Sequence, residues 1–254
     1  MDGARRDLRG RKVLVTGASS GIGASVSRAI VERGGAVAMV ARRKDRLEEL
    51  CEELGDAAVA APCDVTDDGA LRAAVDRAHE LLGGLDGVVA AAGRSMVGTL
   101  STGDPERWRA LFDLNLVAPL ATVRHAVEKF AATGRRDVVL MGSTAAVLPM
   151  PGTGVYSASK RGLQAAFESL RVELAPLGIN ASLIEPGMFE TEGLTLEGVE
   201  FDGEVPENDY PILVPDGVPA DPAVLAEVIA FMMSLPDGVC INELVMRPTG
   251  QLNP

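Results

Sequence analysis

The chain has 254 residues, of which 47% are hydrophobic and 24% charged, and its formal net charge is −12. This composition excludes disordered, collagenous and coiled-coil proteins, and the length suits one large α/β domain or two small ones. The acidic balance argues against nucleic acid or an anionic membrane surface as a partner, because both repel negative charge.

The charge is unevenly distributed along the chain. No lysine, arginine or histidine lies between Arg171 and Arg247, and residues 172–246 hold 15 of the 36 acidic residues. The simplest interpretation of any one of these acids is a solvated surface position. No apolar run approaches the roughly 20 residues of a membrane-spanning helix, and the amino end is charged where a secretion signal would be apolar. We therefore expect a cytoplasmic protein that binds no membrane.

The three cysteines are scattered and lie in no metal-binding or redox spacing. They are Cys51, Cys63 and Cys240. Because a structural metal site needs several ligands at short, regular spacing, we expect reduced cysteines that serve packing. No metal is expected.

Seven short runs rich in valine and alanine alternate with longer segments of helical periodicity, which is typical of a parallel sheet with crossover helices. The runs cover residues 12–17, 36–41, 57–62, 87–92, 137–142, 180–185 and 241–246. Helices are predicted after Ser20 and at residues 44–54, 67–82, 104–131, 154–175 and 221–234. Because the runs are apolar almost throughout, helices should cover both faces of the sheet. The prediction is a single α/β domain, a doubly wound seven-stranded parallel sheet in a three-layer sandwich.

One connection is too long to be an ordinary loop. Residues 188–220 are rich in glycine, proline and acids, and they follow the sixth predicted strand. Ligands bind beyond the carboxyl ends of parallel strands, so this segment is predicted to be a substrate lid. Tyr210 lies within it and could either cap a bound substrate or pack inside the lid.

The first chemical motif is Thr16–Gly23, with the sequence TGASSGIG, between a predicted strand and a predicted helix. Gly17 allows a tight turn, Gly21 lets the backbone approach a phosphate, and Gly23 permits close helix packing. The helix amino terminus adds free N–H donors and a positive dipole end. The motif predicts a site for the pyrophosphate of a dinucleotide.

The second predicted strand ends in basic residues, Arg42 and Arg43, where an acid would bind the ribose 2′-hydroxyl of NAD. A guanidinium there pairs with a 2′-phosphate, so NADP(H) is favoured over NAD(H). The alternative, stronger for Arg43 than for Arg42, is that the arginine only begins a surface helix. Asp64, after the third strand, could bind the adenine amino group, or either Asp64 or Thr66 could cap the next helix.

Tyr156 and Lys160 lie four residues apart in a predicted helix, so both side chains share one helical face. A neighbouring ammonium favours phenolate and lowers the pKa of a tyrosine, which suits Tyr156 for general acid or base catalysis. Ser143 ends the fifth strand, where its hydroxyl can hold a reacting carbonyl oxygen.

Taken together, these motifs resemble the short-chain dehydrogenase/reductase family over essentially the whole chain. TGASSGIG is similar to the cofactor loop of that family, and Cys63–Val65 to its adenine-contacting motif. The resemblance implies a catalytic set of Asn115, Ser143, Tyr156 and Lys160. The cofactor-binding residues taken from the motifs and the resemblance are Gly17, Ser19, Ser20, Gly21, Ile22, Gly23, Arg42, Arg43, Asp64, Val65, Ala91, Ala92, Gly93, Asn115, Tyr156, Lys160, Pro186, Gly187 and Thr191.

The resemblance implies a Rossmann-like fold and hydride transfer between NADP(H) and a carbonyl or alcohol carbon. Tyr156 would transfer the proton and Ser143 would orient the oxygen. Lys160 would lower the tyrosine pKa and hold the nicotinamide ribose, and Asn115 would anchor a water. A homodimer or homotetramer is expected. The sequence departs from the family at Ala90–Gly93, where alanines replace the asparagines of an Asn-Asn-Ala-Gly motif.

The substrate class follows from charge. The predicted lid has no basic residue, whereas the carrier of a 3-oxoacyl thioester would need basic residues near the cleft. The lid therefore argues against a 3-oxoacyl thioester reductase, which stays the alternative enzyme. We expect a small, neutral or cationic carbonyl compound or alcohol, bound with help from Ser143 and Tyr210, whereas an anionic substrate would need Arg94. A non-catalytic dinucleotide sensor, the alternative of another class, would not need the complete catalytic set.

Overall fold

A computed structural model describes residues 7–192, 200–203 and 219–251. Its strands are β1 (Lys12–Thr16), β2 (Ala36–Val40), β3 (Ala58–Ala60), β4 (Gly87–Ala90), β5 (Met96–Gly98), β6 (Asp137–Met141), β7 (Asn180–Pro186), β8 (Glu200–Asp202) and β9 (Glu243–Met246). Its helices are α1 (Gly21–Glu32), α2 (Lys44–Leu54), α3 (Asp68–Leu82), α4 (Pro105–Phe112), α5 (Ala118–Val127), α6 (Gly154–Leu174) and α7 (Pro222–Met233).

Seven of these strands form one parallel sheet in the order β3-β2-β1-β4-β6-β7-β9. They are the seven strands predicted from the apolar runs, so the prediction of a doubly wound, single-domain sandwich is confirmed. The strand order reverses at β1, where Val13 pairs with Val37 of β2 on one side and with Gly87 of β4 on the other. Ligands of open parallel sheets bind beside this reversal, at the carboxyl ends of the strands.

Side chains alternate between two apolar cores, one on each face of the sheet. Val13 and Val15 of β1 pack with α1, α2 and α7, whereas Leu14 packs with α3, α5 and α6 on the opposite face. Both faces of the strands are therefore buried, which explains why the strand sequences are apolar almost throughout.

The predicted helix at residues 104–131 is wrong in its middle and at its end. A π-helical turn at Asp113–Val117 separates α4 from α5, and α5 ends at Val127. Pro119 explains the interruption, because it has no N–H to donate to the carbonyl of Asn115 and its ring crowds that carbonyl. The widened turn carries Asn115 inward, where its side chain is fully buried.

A second, two-stranded parallel sheet of β5 and β8 was not predicted. Its strand β8 lies within the predicted lid, whose sequence indicated no regular structure. The Asp202 carboxylate at the end of β8 is buried, and it accepts hydrogen bonds from Trp108 Nε1 at 2.7 Å and from the Asp104 amide at 3.1 Å. This part of the segment is therefore fixed to α4.

No helix among the described residues is long and apolar enough to cross a membrane.

Candidate active site

A cleft of about 810 Å³ lies at the carboxyl ends of the strands, beside the reversal of strand order. All predicted site residues of the described chain line it except Asn115, which lies buried behind the wall. The glycine loop after β1 lines one part of the cleft, and Ser143 after β6 lines another together with Tyr156 and Lys160 of α6. Tyr210 lies outside the described residues.

The glycine loop has the backbone geometry that its sequence indicates. Gly17 and Gly21 have φ values of +69° and +53°, a region that other residues rarely adopt. A methyl group at Gly17 would lie 2.8 Å from the Ala91 carbonyl oxygen, and one at Gly23 would collide with the Gly17 carbonyl oxygen. The loop is therefore a cradle that fits a pyrophosphate against free backbone N–H groups.

The alanines at Ala90–Gly93 leave the end of β4 attached to β1 by other contacts. The Ala92 amide donates to the Thr16 hydroxyl at 3.2 Å, and Gly17 packs directly on the Ala91 carbonyl. Backbone atoms and one threonine thus connect this segment to the cofactor loop.

The two arginines after β2 differ in their contacts. Arg43 donates to the hydroxyls of Ser19 and Ser20, at 3.0 and 2.7 Å, and pairs with Glu192 at 2.7 Å. The Arg42 side chain is 76% exposed and lies 4.0 Å from the Asp64 carboxylate. Arg43 thus contacts the cofactor loop and Arg42 does not, and binding of a 2′-phosphate by either arginine stays a prediction.

Asp64 caps the turn before α3 rather than projecting freely into the cleft. Its Oδ1 accepts hydrogen bonds from the amide of Thr66 at 3.0 Å and from the Thr66 hydroxyl at 2.8 Å. The backbone hydrogen bond from Thr66 is the main reason that the pKa of Asp64 is lowered. Helix α3 itself is capped by Asp67, whose carboxylate accepts from the Ala70 amide at 2.9 Å, so neither Asp64 nor Thr66 is the helix cap, and adenine binding by Asp64 stays a prediction.

Three predicted catalytic side chains meet at the reactive end of the cleft. Ser143 follows β6 and lies close enough to Tyr156 on α6 for its hydroxyl to act against the rise in the pKa of the phenol. Lys160, one turn further along α6, is 6% exposed and donates from Nζ to the Met141 carbonyl oxygen at 2.8 Å. The helix and the strand end therefore face the same space, as the spacing predicts.

Asn115 connects the loop after β4 to α6. Its Nδ2 donates to the Arg94 carbonyl oxygen at 2.9 Å and to the Ser159 hydroxyl at 3.2 Å, while its Oδ1 accepts from the Arg94 amide at 3.0 Å. A methyl group on Gly93 would lie 3.1 Å from Asn115 Oδ1 and 3.5 Å from Lys160 Nζ. Asn115 thus fixes the wall against which the lysine lies.

The electrostatics differ from the expectation that Lys160 lowers the pKa of Tyr156. Protein atoms crowd the tyrosine hydroxyl, and this burial raises its pKa, an effect that the Ser143 hydrogen bond opposes. Burial also lowers the pKa of Lys160 to about 8. Desolvation therefore dominates at both groups, and Tyr156 is held as a protonated phenol, the form of a general acid.

Anion binding by Arg94, which lines the cleft, is limited by an ion pair. Arg94 Nη1 lies 2.8 Å from the Glu200 carboxylate, which Arg107 also approaches at 2.7 Å. Glu200 belongs to β8 of the predicted lid. The charge that an anionic substrate would need is thus already balanced.

Glu192 and Gln251 are among the polar residues of the cleft that sequence reasoning missed. Glu192 contacts Arg43, and the Gln251 carboxamide accepts a hydrogen bond from the Met188 amide at 2.7 Å. Both partners are remote in sequence, so no local pattern indicates them. Only their places in the chain could have indicated them, because Glu192 directly follows Thr191 and Gln251 lies shortly after the seventh predicted strand.

A family profile described as short chain dehydrogenase matches residues 11–197. The glycine betaine reductase of Emericella nidulans is 35% identical over 245 residues. That alignment covers 95% of this chain but 19% of the fungal protein, so the chain spans about a fifth of that relative's length.

Two solved structures are similar over nearly the whole chain. The closed form of serine dehydrogenase, complexed with NADP⁺, has a TM-score of 0.83 at 27% identity and covers 94% of this chain and 95% of that one. A 3-ketoacyl-(acyl-carrier-protein) reductase from Brucella melitensis, complexed with NADH, has a TM-score of 0.83 at 26% identity, with 95% and 98% covered. These likenesses support a nicotinamide dinucleotide as the cofactor.

The profile match, the sheet order and the cleft agree on one class of protein. An oxidoreductase that acts on CH–OH or C=O groups accounts for all three. The chain belongs to the short-chain dehydrogenase/reductase family.

Proposed function

We propose that this chain is an NADP(H)-dependent oxidoreductase for a small, uncharged or cationic ketone, aldehyde or secondary alcohol. One observation carries the proposal. A single cleft joins the glycine cradle, which fits a pyrophosphate, to Ser143, Tyr156 and Lys160.

The residues divide the chemistry between them. The nicotinamide would supply or accept the hydride when bound. Tyr156 gives its proton to the carbonyl oxygen during reduction and takes it back during oxidation. Ser143, which lies beside Tyr156, orients that oxygen. The ammonium of Lys160 stabilises negative charge as it develops on the phenol, and Asn115 fixes the loop beside Lys160.

The charge of the substrate follows from the pairing of Arg94 with Glu200. An anionic substrate would have to displace the Glu200 carboxylate, which two arginines hold. An uncharged or cationic substrate has no such cost. The name of the Emericella nidulans relative, a glycine betaine reductase, refers to a zwitterion that carries a quaternary ammonium and a carboxylate, so only its ammonium group supports the cationic part of the proposal.

A substrate panel at fixed NADPH tests this proposal. The panel contains uncharged aldehydes and ketones, aldehydes with a trimethylammonium group, 2-oxo acids of matched size, and an acetoacetyl thioester. We expect kcat/KM for the first two groups to exceed that for the oxo acids by at least about tenfold, or about 1.4 kcal/mol. Preference for the oxo acids would contradict the charge argument, preference for the thioester would favour the carrier-linked alternative, and NADPH binding without turnover would favour a sensor.

NADPH is expected to be preferred over NADH by at least about tenfold in kcat/KM, which requires only about 1.4 kcal/mol from contacts to the 2′-phosphate. Arg43→Ala should remove most of this preference because Arg43 lies against Ser19 and Ser20. Arg42→Ala is the matched control and should remove less, since Arg42 is largely exposed. Equal efficiency with both cofactors in the unmodified protein would refute the preference.

Glu192→Gln is expected to tighten NADPH binding by about two- to fivefold, the range of an exposed ion pair. The reason is competition, because the Glu192 carboxylate and the 2′-phosphate would share the Arg43 guanidinium. Calorimetric titration with NADPH measures the effect, and NADH is the control ligand that should bind unchanged. In the Arg43→Ala background the gain should disappear; a gain that persists there would rule out competition for Arg43.

Two further predictions concern the lid and the assembly. The ends of the predicted lid are joined, since the Glu190 amide donates to the Ala220 carbonyl oxygen at 2.8 Å and the Ala220 amide donates to that of Met188 at 3.1 Å. Any closure would therefore turn about these ends and the buried Asp202. Lid closure over the substrate stays a prediction, as does a homodimer or homotetramer.

A further inference from the structure

Strand β8 is fitted closely against β5 and α4. A methyl group at Gly98 of β5 would collide with the Asp202 carbonyl oxygen, and one at Gly103 would lie 2.5 Å from Asp202 Oδ2 and 2.8 Å from Trp108 Nε1. The buried Asp202 carboxylate also accepts the hydrogen bond from Trp108. Because glycine alone leaves room for these contacts, β8 has a fixed place beside the wall of the cleft.

The pairing of β8 with β5 places Glu200 next to the cleft. Glu200 lies opposite Met96, which lines the cleft. Its Oε1 accepts hydrogen bonds from Arg107 Nε at 2.9 Å and Nη2 at 2.7 Å, and its Oε2 lies 2.8 Å from Arg94 Nη1. The two oxygens of one carboxylate are thus divided between an arginine of α4 and an arginine of the cleft.

Arg94 lies close to the reacting groups. Its amide and its carbonyl oxygen are both hydrogen-bonded to the Asn115 side chain. It directly follows Gly93, where an added methyl group would lie 3.5 Å from Lys160 Nζ. Arg94 lines the cleft and its side chain is 36% exposed, so a ligand in the cleft can reach it.

The two arginines depend on Glu200 to different degrees. Arg107 has a second carboxylate, since its Nη1 lies 3.6 Å from Asp202 Oδ1, and it also donates to the Phe201 carbonyl oxygen at 2.8 Å. For Arg94, Glu200 is the one carboxylate within ion-pair distance among the described residues, and Arg94 Nε has no hydrogen-bond partner there. Loss of the Glu200 charge would therefore leave Arg107 paired and Arg94 without a counter-charge.

We propose that Glu200 is the residue that determines the charge selectivity of the cleft. It neutralises Arg94, and without its charge Arg94 becomes a binding group for a carboxylate on the substrate. Exclusion of the wrong ligand by an occupied charge is a common basis of specificity. The inference rests on the proposed function and adds that one side chain, supplied by β8, decides which charge class of carbonyl compound is accepted.

A matched set of substrates and variants tests the inference. The substrates are methyl ketones that differ only at the far end of a spacer of two to four methylene groups, which carries a methyl ester, a carboxylate or a trimethylammonium group. The variants are Glu200→Gln, Arg94→Gln and the double variant. Glu106→Gln is the control, because it removes the same charge from a residue of α4 that pairs with Arg109 and does not line the cleft.

The measured quantity is kcat/KM for each charged ketone divided by that for the ester, at saturating NADPH. Glu200→Gln should raise this ratio for the carboxylate by about tenfold, the effect of one charge-assisted hydrogen bond. The double variant should lose the gain. Arg94→Gln leaves Glu200 with one arginine and should raise the ratio for the trimethylammonium ketone about three- to fivefold. Glu106→Gln should change neither ratio.

Other outcomes would overturn the inference. These are an unchanged carboxylate ratio in Glu200→Gln, an equal change in Glu106→Gln, or a gain that persists in the double variant. Thermal unfolding verifies that each variant is folded. Should Glu200→Gln fail to fold, Arg94→Gln decides, and an unchanged trimethylammonium ratio there would contradict the inference. If the unmodified protein reduced none of the ketones, the proposed function would fail and the inference with it.

Discussion

Replacing Tyr156 with phenylalanine is expected to lower kcat by roughly 10²- to 10⁴-fold, the usual contribution of a positioned acid or base. The phenylalanine ring keeps the packing of Tyr156 on α6 and loses only the hydroxyl that Ser143 contacts. NADPH affinity should therefore change little. The variant separates proton transfer from binding because the two depend on different atoms of one side chain.

The measurement is single-turnover oxidation of NADPH, followed by absorbance, together with titration of the variant with NADPH. Tyr210→Phe is the matched control, since Tyr210 is the only other tyrosine of the chain. It keeps the proposed proton donor, so it should not reproduce the loss of kcat, although it can change the KM for the substrate that Tyr210 is predicted to cap. Turnover of Tyr156→Phe at near-normal rate would refute the assignment of Tyr156 as the proton donor.

The raised pKa of Tyr156 also sets a direction for pH dependence. Burial keeps the phenol protonated through neutral pH, which is the form needed to donate to a carbonyl oxygen. Oxidation of an alcohol needs the phenolate and should accelerate as pH rises, while reduction should not. This asymmetry follows from desolvation, the dominant influence on the hydroxyl.

Most of the sheet could be predicted from sequence because its signal is local. Each of the seven strands is a short apolar run, and both of its faces are buried, so pattern and environment agree. The pair of β5 and β8 escaped prediction for the opposite reason. Both strands are three residues long, and their pairing joins Met96 to Glu200, far apart in the chain.

The helix at residues 104–131 shows a different limit. The hydrophobic periodicity of this segment is continuous. Pro119 is compatible either with the start of a new helix or with a kink in one long helix. The structure resolves the choice with the π-helical turn at Asp113–Val117, which buries Asn115. Hydrophobic periodicity cannot show that one helical turn contains an extra residue, although that residue decides where the Asn115 side chain lies.

The site follows the same division between local and distant contacts. The glycine loop and the Tyr156–Lys160 spacing are short motifs, and the structure brings them to one cleft. The partners Arg43 and Glu192 are 149 residues apart, and Gln251 and Met188 are 63 apart. Such contacts depend on the whole fold. Sequence alone could therefore predict which short motifs line the cleft, but not these two contacts between distant residues.

Lys160→Met is expected to abolish most turnover and yet to stabilise the folded protein at neutral pH. Burial lowers the pKa of Lys160 from its usual 10.5 to about 8, which means that the folded state holds the charged ammonium at a cost. That difference corresponds to about 3 kcal/mol at pH 7, offset by about 1 kcal/mol for the lost hydrogen bond to Met141. A net gain of about 2 kcal/mol in the free energy of unfolding is expected.

The pH dependence of this gain has a definite sign. Below pH 8 the folded and unfolded states both carry the proton, so the destabilisation by Lys160 is complete. As the pH rises from about 8 to 10.5, the folded protein releases the proton first, and the destabilisation is relieved. The unmodified protein should therefore approach the stability of the methionine variant as the pH rises through this window.

Urea unfolding of both proteins between pH 7 and pH 10 measures the difference, in which the titration of every other group cancels. Lys12→Met is the control, because the Lys12 ammonium donates to the Gly83 carbonyl oxygen in an exposed position and its removal should give no comparable gain. A Lys160→Met protein that is less stable than the unmodified one at pH 7, or a difference that stays constant up to pH 10, would show that the ammonium is not held at a cost. The expected result would mean that the fold sacrifices stability at Lys160 to keep a cation one helical turn from Tyr156, the proposed proton donor.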